Sequence, residues 1–443
     1  MKRKSALGAL ALVGALAACG EGELILQGQR QDVRNAVIGG PAEDIASLAP
    51  TPGAARPIAL PAPRGNAEWT HPGGNQRHDP GHVALAASLA PLWVADIGEG
   101  DSRKHRITAS PVVAGGRVFT MDSVARVSAI DNAGKLLWQR DLTPAADRRG
   151  DASGGGLAYG EGRLFVTTGY GDLVALDPAT GAVIWTQDFE AGAGGAPVVS
   201  GGRVYAVARD ASAWAMRAAD GKVEWVIPGT PSNEGVMGAA APAADDRQVV
   251  FPFPSGQVIA VAREGGTGLW ANYVAGQRRG RAQGTISDLT GDPVIAGNTV
   301  YAATSAGRMV AIDADTGRPR WFAAEGATGP VVVAGGAVFL VNDEDQMLRL
   351  DAATGQQVWR TDLPFFTKDR NKRRRTIFVH YGPVLAGGRL LLASTDGLVR
   401  SVDPASGAVS VALQMPAGAA AAPAVAGGVL YVVTKDGKLR AFR

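Results

Sequence analysis

The sequence predicts an all-β fold, an eight-bladed β-propeller of four-stranded antiparallel blades closed by an N-terminal strand that completes the last blade. Three observations carry that expectation. A pattern typified by Gly160 to Trp185, GEGRLFVTTGYGDLVALDPATGAVIW, recurs eight times after residue 90. Each copy alternates apolar and polar residues over short runs, so that side chains i and i+2 share one face of a strand, and most end in a Gly- and Asp-rich turn before a Trp. The ends of the array are complementary: a run around Trp93 precedes the first three-strand unit, and the last unit, Pro423 to Arg443, lacks a fourth strand.

Taken in order, the first two strands of the units fall in Pro111 to Thr120, Leu157 to Thr167, Pro197 to Val207, Pro242 to Phe251, Pro293 to Ala302, Pro330 to Leu340, Pro383 to Leu392 and Pro423 to Val433. Third strands follow, such as Val127 to Ile130 and Leu439 to Phe442. Fourth strands carry Trp93, Trp138, Trp185, Trp225, Trp270, Trp321 and Trp359, with Ser410 at the eighth such position. Turns such as Asp177 to Gly181 reverse the chain, since Gly and Asp tolerate positive φ. The strand Leu92 to Ile97 is expected to form the outer edge of the last blade; an open solenoid would leave the complementary ends unexplained. Each Trp is expected to fill the groove between blades and to bind no ligand.

The first residues read as an export signal. Lys2, Arg3 and Lys4 precede the apolar run Ala6 to Leu16, too short to span a bilayer comfortably, and Leu16-Ala17-Ala18-Cys19 closes it. This end resembles a bacterial lipobox, which implies a signal peptide over 1–18 and acylation of Cys19 by several chains, with Gly20 implying transfer to the outer membrane. Cys19 is the only cysteine, so no disulfide can form within the chain. The three basic residues ahead of it are part of 44 Lys and Arg; a chain beginning at Cys19 holds 41 basic and 41 acidic residues. Bulk attraction to nucleic acid is not implied. Residues 19–67, rich in Pro, Ala and Gly, read as a flexible tether.

Residues 68–90 read as an ordered lead-in to a propeller over 91–443. Its stretch Trp69 to Gly81, WTHPGGNQRHDPG, holds His71 and His78, with His82 next to it. Two readings apply. A metal site would need a ligand spacing that this frame does not match, whereas an ordered segment lying against the domain needs only the aromatic and polar anchors present.

The segments Ala175 to Trp185 (ALDPATGAVIW), Ala311 to Trp321 (AIDADTGRPRW) and Leu350 to Trp359 (LDAATGQQVW) resemble the tryptophan-docking motif of the pyrroloquinoline-quinone propeller superfamily. The resemblance covers almost all of residues 90 to 443, but a fold leaves function open. A quinoprotein dehydrogenase would need a cofactor cradle, a Ca²⁺ site rich in carboxylates and an Asp base. The sequence has no vicinal cysteine pair, and its acids lie mostly in repeat turns. The densest acidic run, Asp343-Glu344-Asp345, falls between the second and third strands of a blade and reads as a solvated turn. No Ser/His/Asp or Cys/His constellation stands out. Catalytic residues, metal and cofactor are therefore not expected.

Lipobox, tether and eight-bladed propeller together resemble the BamB family of outer-membrane assembly factors; a periplasmic adaptor for another envelope complex is the less specific alternative. The BamB resemblance implies a non-enzymatic scaffold, monomeric within a hetero-complex, held by lipid on the periplasmic face of the outer membrane. It implies binding to the POTRA domains of BamA beside other assembly-machinery subunits, contact with unfolded outer-membrane proteins, and no nucleic acid. In the family, BamA contacts come from connections entering two successive blades. Here these match Asn233 to Pro242 and Thr285 to Pro293, where the family's Arg and two acids align with Met237, beside Val236, and with Asp288 and Thr290. Two of those three charged positions differ, and Asp292 is either a displaced acid or a turn residue.

Basic runs cluster in the connections between blades: Arg103 to Arg106, Arg148-Arg149, Gln277 to Arg281 and, most densely, Lys368 to Arg375. Propeller topology puts these connections on one face, so Arg278, Arg279, Arg281, Arg373, Arg374 and Arg375 are expected to form a basic rim that meets an acidic partner surface or anionic headgroups. Solvated loops are the plain alternative, and no aromatic interleaving suggests stacking on a single strand of nucleic acid.

Overall fold

The computed structural model describes residues 56–232, 239–276, 278, 288–368, 370, 372 and 374–443. They form eight four-stranded antiparallel sheets arranged as the blades of a ring. Blade 1 runs outward through Val112–Ala114, Arg117–Met121, Arg126–Asp131 and Leu136–Asp141. The second and third strands are buried on both faces between neighbouring blades, which is why Val118, Phe119, Val127, Ala129 and Ile130 read as an almost unbroken apolar run. The fourth strand lies at the perimeter and is largely exposed.

Blade 8 closes the ring as the complementary ends require. Its fourth strand is Pro91–Asp96, paired antiparallel with the C-terminal strand Lys438–Phe442 in the register Trp93 with Ala441 and Ala95 with Leu439. Ala90 and Arg443 exchange backbone hydrogen bonds at 2.8 and 2.9 Å, and Lys438 pairs with Asp96. The edge that would otherwise be open is covered.

The repeated Asp-to-Gly turn and the Trp are two halves of one joint. Trp138 packs on Gly181 of the next blade, where an added Cβ would lie 2.5 Å from the indole, and its Nε1 donates to Pro178 O at 3.1 Å. Gly181 also sits at φ +69°, a backbone that a side chain disfavours. Asp177 sets the turn by accepting from the Thr180 amide and hydroxyl at 2.8 and 2.9 Å. Trp93, Trp185, Trp270, Trp321 and Trp359 each donate to a carbonyl at the corresponding position. At Trp225 the acceptor is taken: Tyr205 Oη donates to Arg263 O at 2.8 Å, and the indole Nε1 has no partner. Ser410 also has a physical reason. The blade that follows it is blade 8, whose third and fourth strands come from opposite ends of the chain, so there is no turn on which a Trp could dock.

The expectation of a flexible tether up to residue 67 is corrected for residues 56–67, which lie against the ring because their backbone carbonyls and the apolar Ile58 and Leu60 find partners there; together with the lead-in over 68–90 they touch all eight blades. Arg349 of blade 6 donates through Nη1 to Arg56 O, and Ile58 and Leu60 pack against the core between blades 6 and 7. Asn66 bonds Val425 O and the Gly427 amide of blade 8. Trp69 pairs with Val113 of blade 1, Tyr159 of blade 2 donates to Thr70 O, and Val199 of blade 3 donates to His71 Nε2. Gln76 O accepts from Ala244 of blade 4 and Arg77 O from Ile295 of blade 5, and Val83 pairs with Ala386 of blade 7. Apart from that of Arg349, which reaches over from the third strand of blade 6, these polar contacts fall at the ends of the innermost strands or in the turns that follow them. The segment therefore lines the inner mouth on the face of the strand one to strand two turns. The connections from blade to blade lie on the opposite face.

Candidate partner-binding face

The face opposite the lead-in segment is built from the inter-blade connections and the turns between second and third strands. Of the residues expected to act there, Val236, Met237, Arg279, Arg281 and Arg373 lie outside the described residues, as does Cys19. Asp288, Thr290 and Asp292 are described, at the entry to blade 5, whose innermost strand is Leu289–Ala296.

Asp288 is 3% exposed, directly ahead of the core residue Leu289. Thr290 Oγ1 donates to Ala327 O at 2.7 Å, tying the entry of blade 5 to the connection that enters blade 6. Asp292 belongs to the strand and not to a turn; its Oδ1 accepts from the Ala241 amide at 2.7 Å and so braces the innermost strands of blades 4 and 5. Burial raises its pKa above the ordinary carboxylate value, with the His78 imidazole acting the other way. The entry to blade 5 is thus a fixed platform whose polar groups are engaged within the ring.

Beside it lies an ion cluster that the sequence did not disclose. Arg278, in the connection from blade 4 to blade 5, reaches Asp343 Oδ2 at 2.5 Å, Glu325 at 3.3 Å and Glu344 at 3.5 Å. Gly307 makes this reach feasible, since a Cβ there would stand 2.9 Å from Arg278 Nε. Asp343 Oδ1 also accepts from the Gly326 amide at 3.1 Å. The expectation of a solvated turn over Asp343-Glu344-Asp345 is corrected: Asp343 and Asp345 are 6% and 7% exposed, because the guanidinium from the neighbouring blade's connection and the chain around Gly326 cover them. Burial, with the Asp343 charge behind it, pushes the Asp345 carboxyl up to about 7. Burial likewise raises Glu325. Arg278 does not offer a bare charge to a partner; its guanidinium is held by Glu325 and by the acids of blade 6.

The three histidines of the lead-in segment are directed to three different blades. His71 Nε2 accepts from the Val199 amide at 3.0 Å, so the hydrogen-bond pattern assigns the proton to Nδ1, 2.9 Å from Thr70 Oγ1. Burial and the neighbouring His78 push its pKa down to about 3. His78 Nδ1 lies 2.8 Å from Pro293 O of blade 5. His82 Nε2 accepts from the Gly388 amide of blade 7 at 2.8 Å, while its Nδ1 faces Pro61 O. The spacing of an aromatic and three histidines signalled an ordered segment; the blades they reach were not legible.

One mouth lined by residues 56–84 and the other bordered by the inter-blade connections complete an eight-bladed β-propeller, a class of fold that hosts both enzymes and scaffolds. Comparison with known proteins narrows that class. A family model described as outer membrane protein assembly factor BamB matches residues 123–361 and 349–443. BamB of Burkholderia pseudomallei is 27% identical over 356 residues, 80% of this chain and 87% of that protein. BamB of Yersinia pestis is 26% identical over 238 residues, 52% of this chain and 60% of its relative's length. The crystal structure of BamB from Moraxella catarrhalis superimposes with a TM-score of 0.65 at 18% identity, covering 80% of this chain and 99% of that one. A quinohemoprotein alcohol dehydrogenase from Comamonas testosteroni reaches 0.61 at 16% identity, covering 85% and 80%. Both structural likenesses speak to the fold alone. The chain belongs to the BamB family, and is an outer-membrane assembly factor and not an enzyme.

Proposed function

We propose that this protein is the BamB subunit of a β-barrel assembly machinery, a lipoprotein held at Cys19 to the outer membrane and facing the periplasm, and that it binds POTRA domains of BamA to assist folding and insertion of outer-membrane proteins. The observation that carries the reading is the pairing of family membership with one face left to long connections. The connections entering blades 4 and 5 align with those that carry the family's contacts, and beside the second, Thr290 bonds Ala327 O and Arg278 meets the acids of blade 6. With the charges at Met237 and Thr290 changed and Asp288 buried, the contact candidates are the backbone and the remaining side chains of the two connections.

A photo-crosslinking residue at Met237 tests this in envelopes: an adduct with BamA supports it, and a reproducible adduct with a different envelope protein in its place overturns it for an adaptor of another complex. For the anchor, Cys19→Ser is expected to abolish palmitate incorporation and release the chain, still folded, into the periplasm. Undiminished labelling of the variant would refute lipidation at Cys19.

A further inference from the structure

The connection from blade 6 to blade 7, between strands Gln357–Asp362 and His380–Ala386, folds into a short ribbon. Phe366 and Ile377 form an antiparallel bridge, the Phe378 amide donates to Phe365 O at 2.8 Å, and the Thr367 amide donates to Thr376 O at 3.1 Å. In the sequence the segment between Thr367 and Thr376 reads KDRNKRRR, and its five described residues, which form the tip, are all cationic. Lys368, Arg370, Lys372, Arg374 and Arg375 are exposed; Asp369, Asn371 and Arg373 lie outside the described residues. Next to this charge the stem presents apolar surface. Phe365 and Phe366 meet edge to face at 4.6 Å, the Arg374 guanidinium stands 5.0 Å from the Phe366 ring centre, and Ile377 is 47% exposed.

We propose that this ribbon is a membrane-contacting finger that binds a bilayer surface carrying anionic phospholipid, with the tip cations on the headgroup phosphates and Ile377 with the Phe365–Phe366 pair at the hydrocarbon boundary. The chain beyond the signal is formally neutral, so the tip concentrates charge locally. A polybasic cluster of this size is drawn to an anionic leaflet, and the attraction falls off within a Debye length. An acidic protein surface would need only the cations. Cations on a tip with an aromatic pair and an exposed Ile in the stem suit a partner that is anionic at its surface and apolar beneath it, which is the order of groups in a bilayer interface. The proposal stands independently of the BamA reading.

Flotation of the full-length protein with vesicles tests it. Any lipid anchor contributes equally to phosphatidylcholine vesicles with and without phosphatidylglycerol, so the readout is the preference between them. The wild type is expected to favour the phosphatidylglycerol vesicles and to lose that preference at high salt. The variant Lys368→Gln/Arg370→Gln/Lys372→Gln/Arg375→Gln is expected to lose about a hundredfold or more of it, with its melting temperature unchanged because these side chains are exposed. Ile377→Ser is expected to weaken binding to the phosphatidylglycerol vesicles while leaving the salt dependence. Inorganic phosphate at matched ionic strength is expected not to compete, which separates a bilayer from an isolated phosphate as the ligand. Equal partition of the wild type into both vesicles overturns the proposal. So does a quadruple variant that keeps its lipid preference but loses capture of an acidic protein.

Discussion

The mouth lined by residues 56–84 is held mainly by backbone and imidazole hydrogen bonds, with Arg349 and Glu68 adding charged contacts, whereas the opposite face is held by charges. On the first, backbone amides and neutral imidazoles join one segment to the innermost strands of the ring, and His71 is kept neutral by burial. On the second, Arg278 gathers Glu325, Asp343 and Glu344 at the joint of blades 5 and 6, and the blade 6 to 7 ribbon carries exposed cations. The difference separates two tasks. Neutral bonds to seven of the blades, with apolar packing and Arg349 at blade 6, fix the geometry of the ring with little dependence on salt. Charges govern association rate and salt dependence at a partner face more than they govern the strength of contact.

The largest effect should come from the neutral side. Deleting residues 64–84 is expected to destroy cooperative unfolding, because the inner mouth loses partners in seven blades at once. Trp69→Ala, at a side chain only 1% exposed, should cost about 3–5 kcal/mol in urea denaturation. A loss below about 1 kcal/mol would mean that the segment rests on a ring already complete without it. Next in size is the blade joint. Trp359→Ala should cost a similar ~3–5 kcal/mol, and Ser410→Trp should add no stability, since blade 8 offers no turn for it; a stabilised Ser410→Trp protein would contradict the docking account.

The ring was legible from sequence because each residue of the joint acts on near neighbours in a fixed order. Asp177, Thr180, Gly181 and the Trp that follows recur, and one blade's Gly meets the preceding blade's Trp wherever both halves exist. The N-terminal fourth strand was legible for the same reason, as an outer strand missing at one end and surplus at the other. The route of residues 56–84 was not legible. Its partners are backbone groups of strands up to several hundred residues away, and backbone carries no residue signature. Asp343-Glu344-Asp345 misled for a related reason: nothing local to that turn announces Arg278, which arrives from a connection one blade earlier. Gly307 and Gly326, whose absent side chains make room for the cluster, carry no local sign of that role.

The charged side should respond to single substitutions by a smaller margin. Arg278→Met removes the cation from a buried carboxylate and should cost about 3 kcal/mol. Arg278→Met with Asp343→Asn should cost less than the sum of the two single changes. Additive losses in the double-mutant cycle would show that the cluster is not a coupled unit.

The smallest effect expected is one of pH. Asp345 is held at about 7 in the folded ring against 3.8 for an ordinary aspartate, burial being the first cause and the Asp343 charge the second. A carboxyl whose folded pKa is raised binds its proton more tightly in the native state than in the unfolded chain. Its contribution is therefore most favourable below the unfolded value and is lost as pH rises toward and through 7. Glu325, also raised by burial, acts in the same direction, so the decisive quantity is the difference between two proteins and not the slope of one. Asp345→Asn removes the titration while suiting the backbone, since the φ of 54° at this residue lies in the left-handed region that Asn tolerates. Wild type and variant should be closest in stability near pH 4, and by pH 8 the variant should have gained on the order of 2 kcal/mol relative to the wild type. Urea unfolding of both proteins at a series of pH values measures that gap. A gap that stays constant with pH would place Asp345 among the exposed carboxylates and remove it from the buried cluster that distinguishes this face from the other.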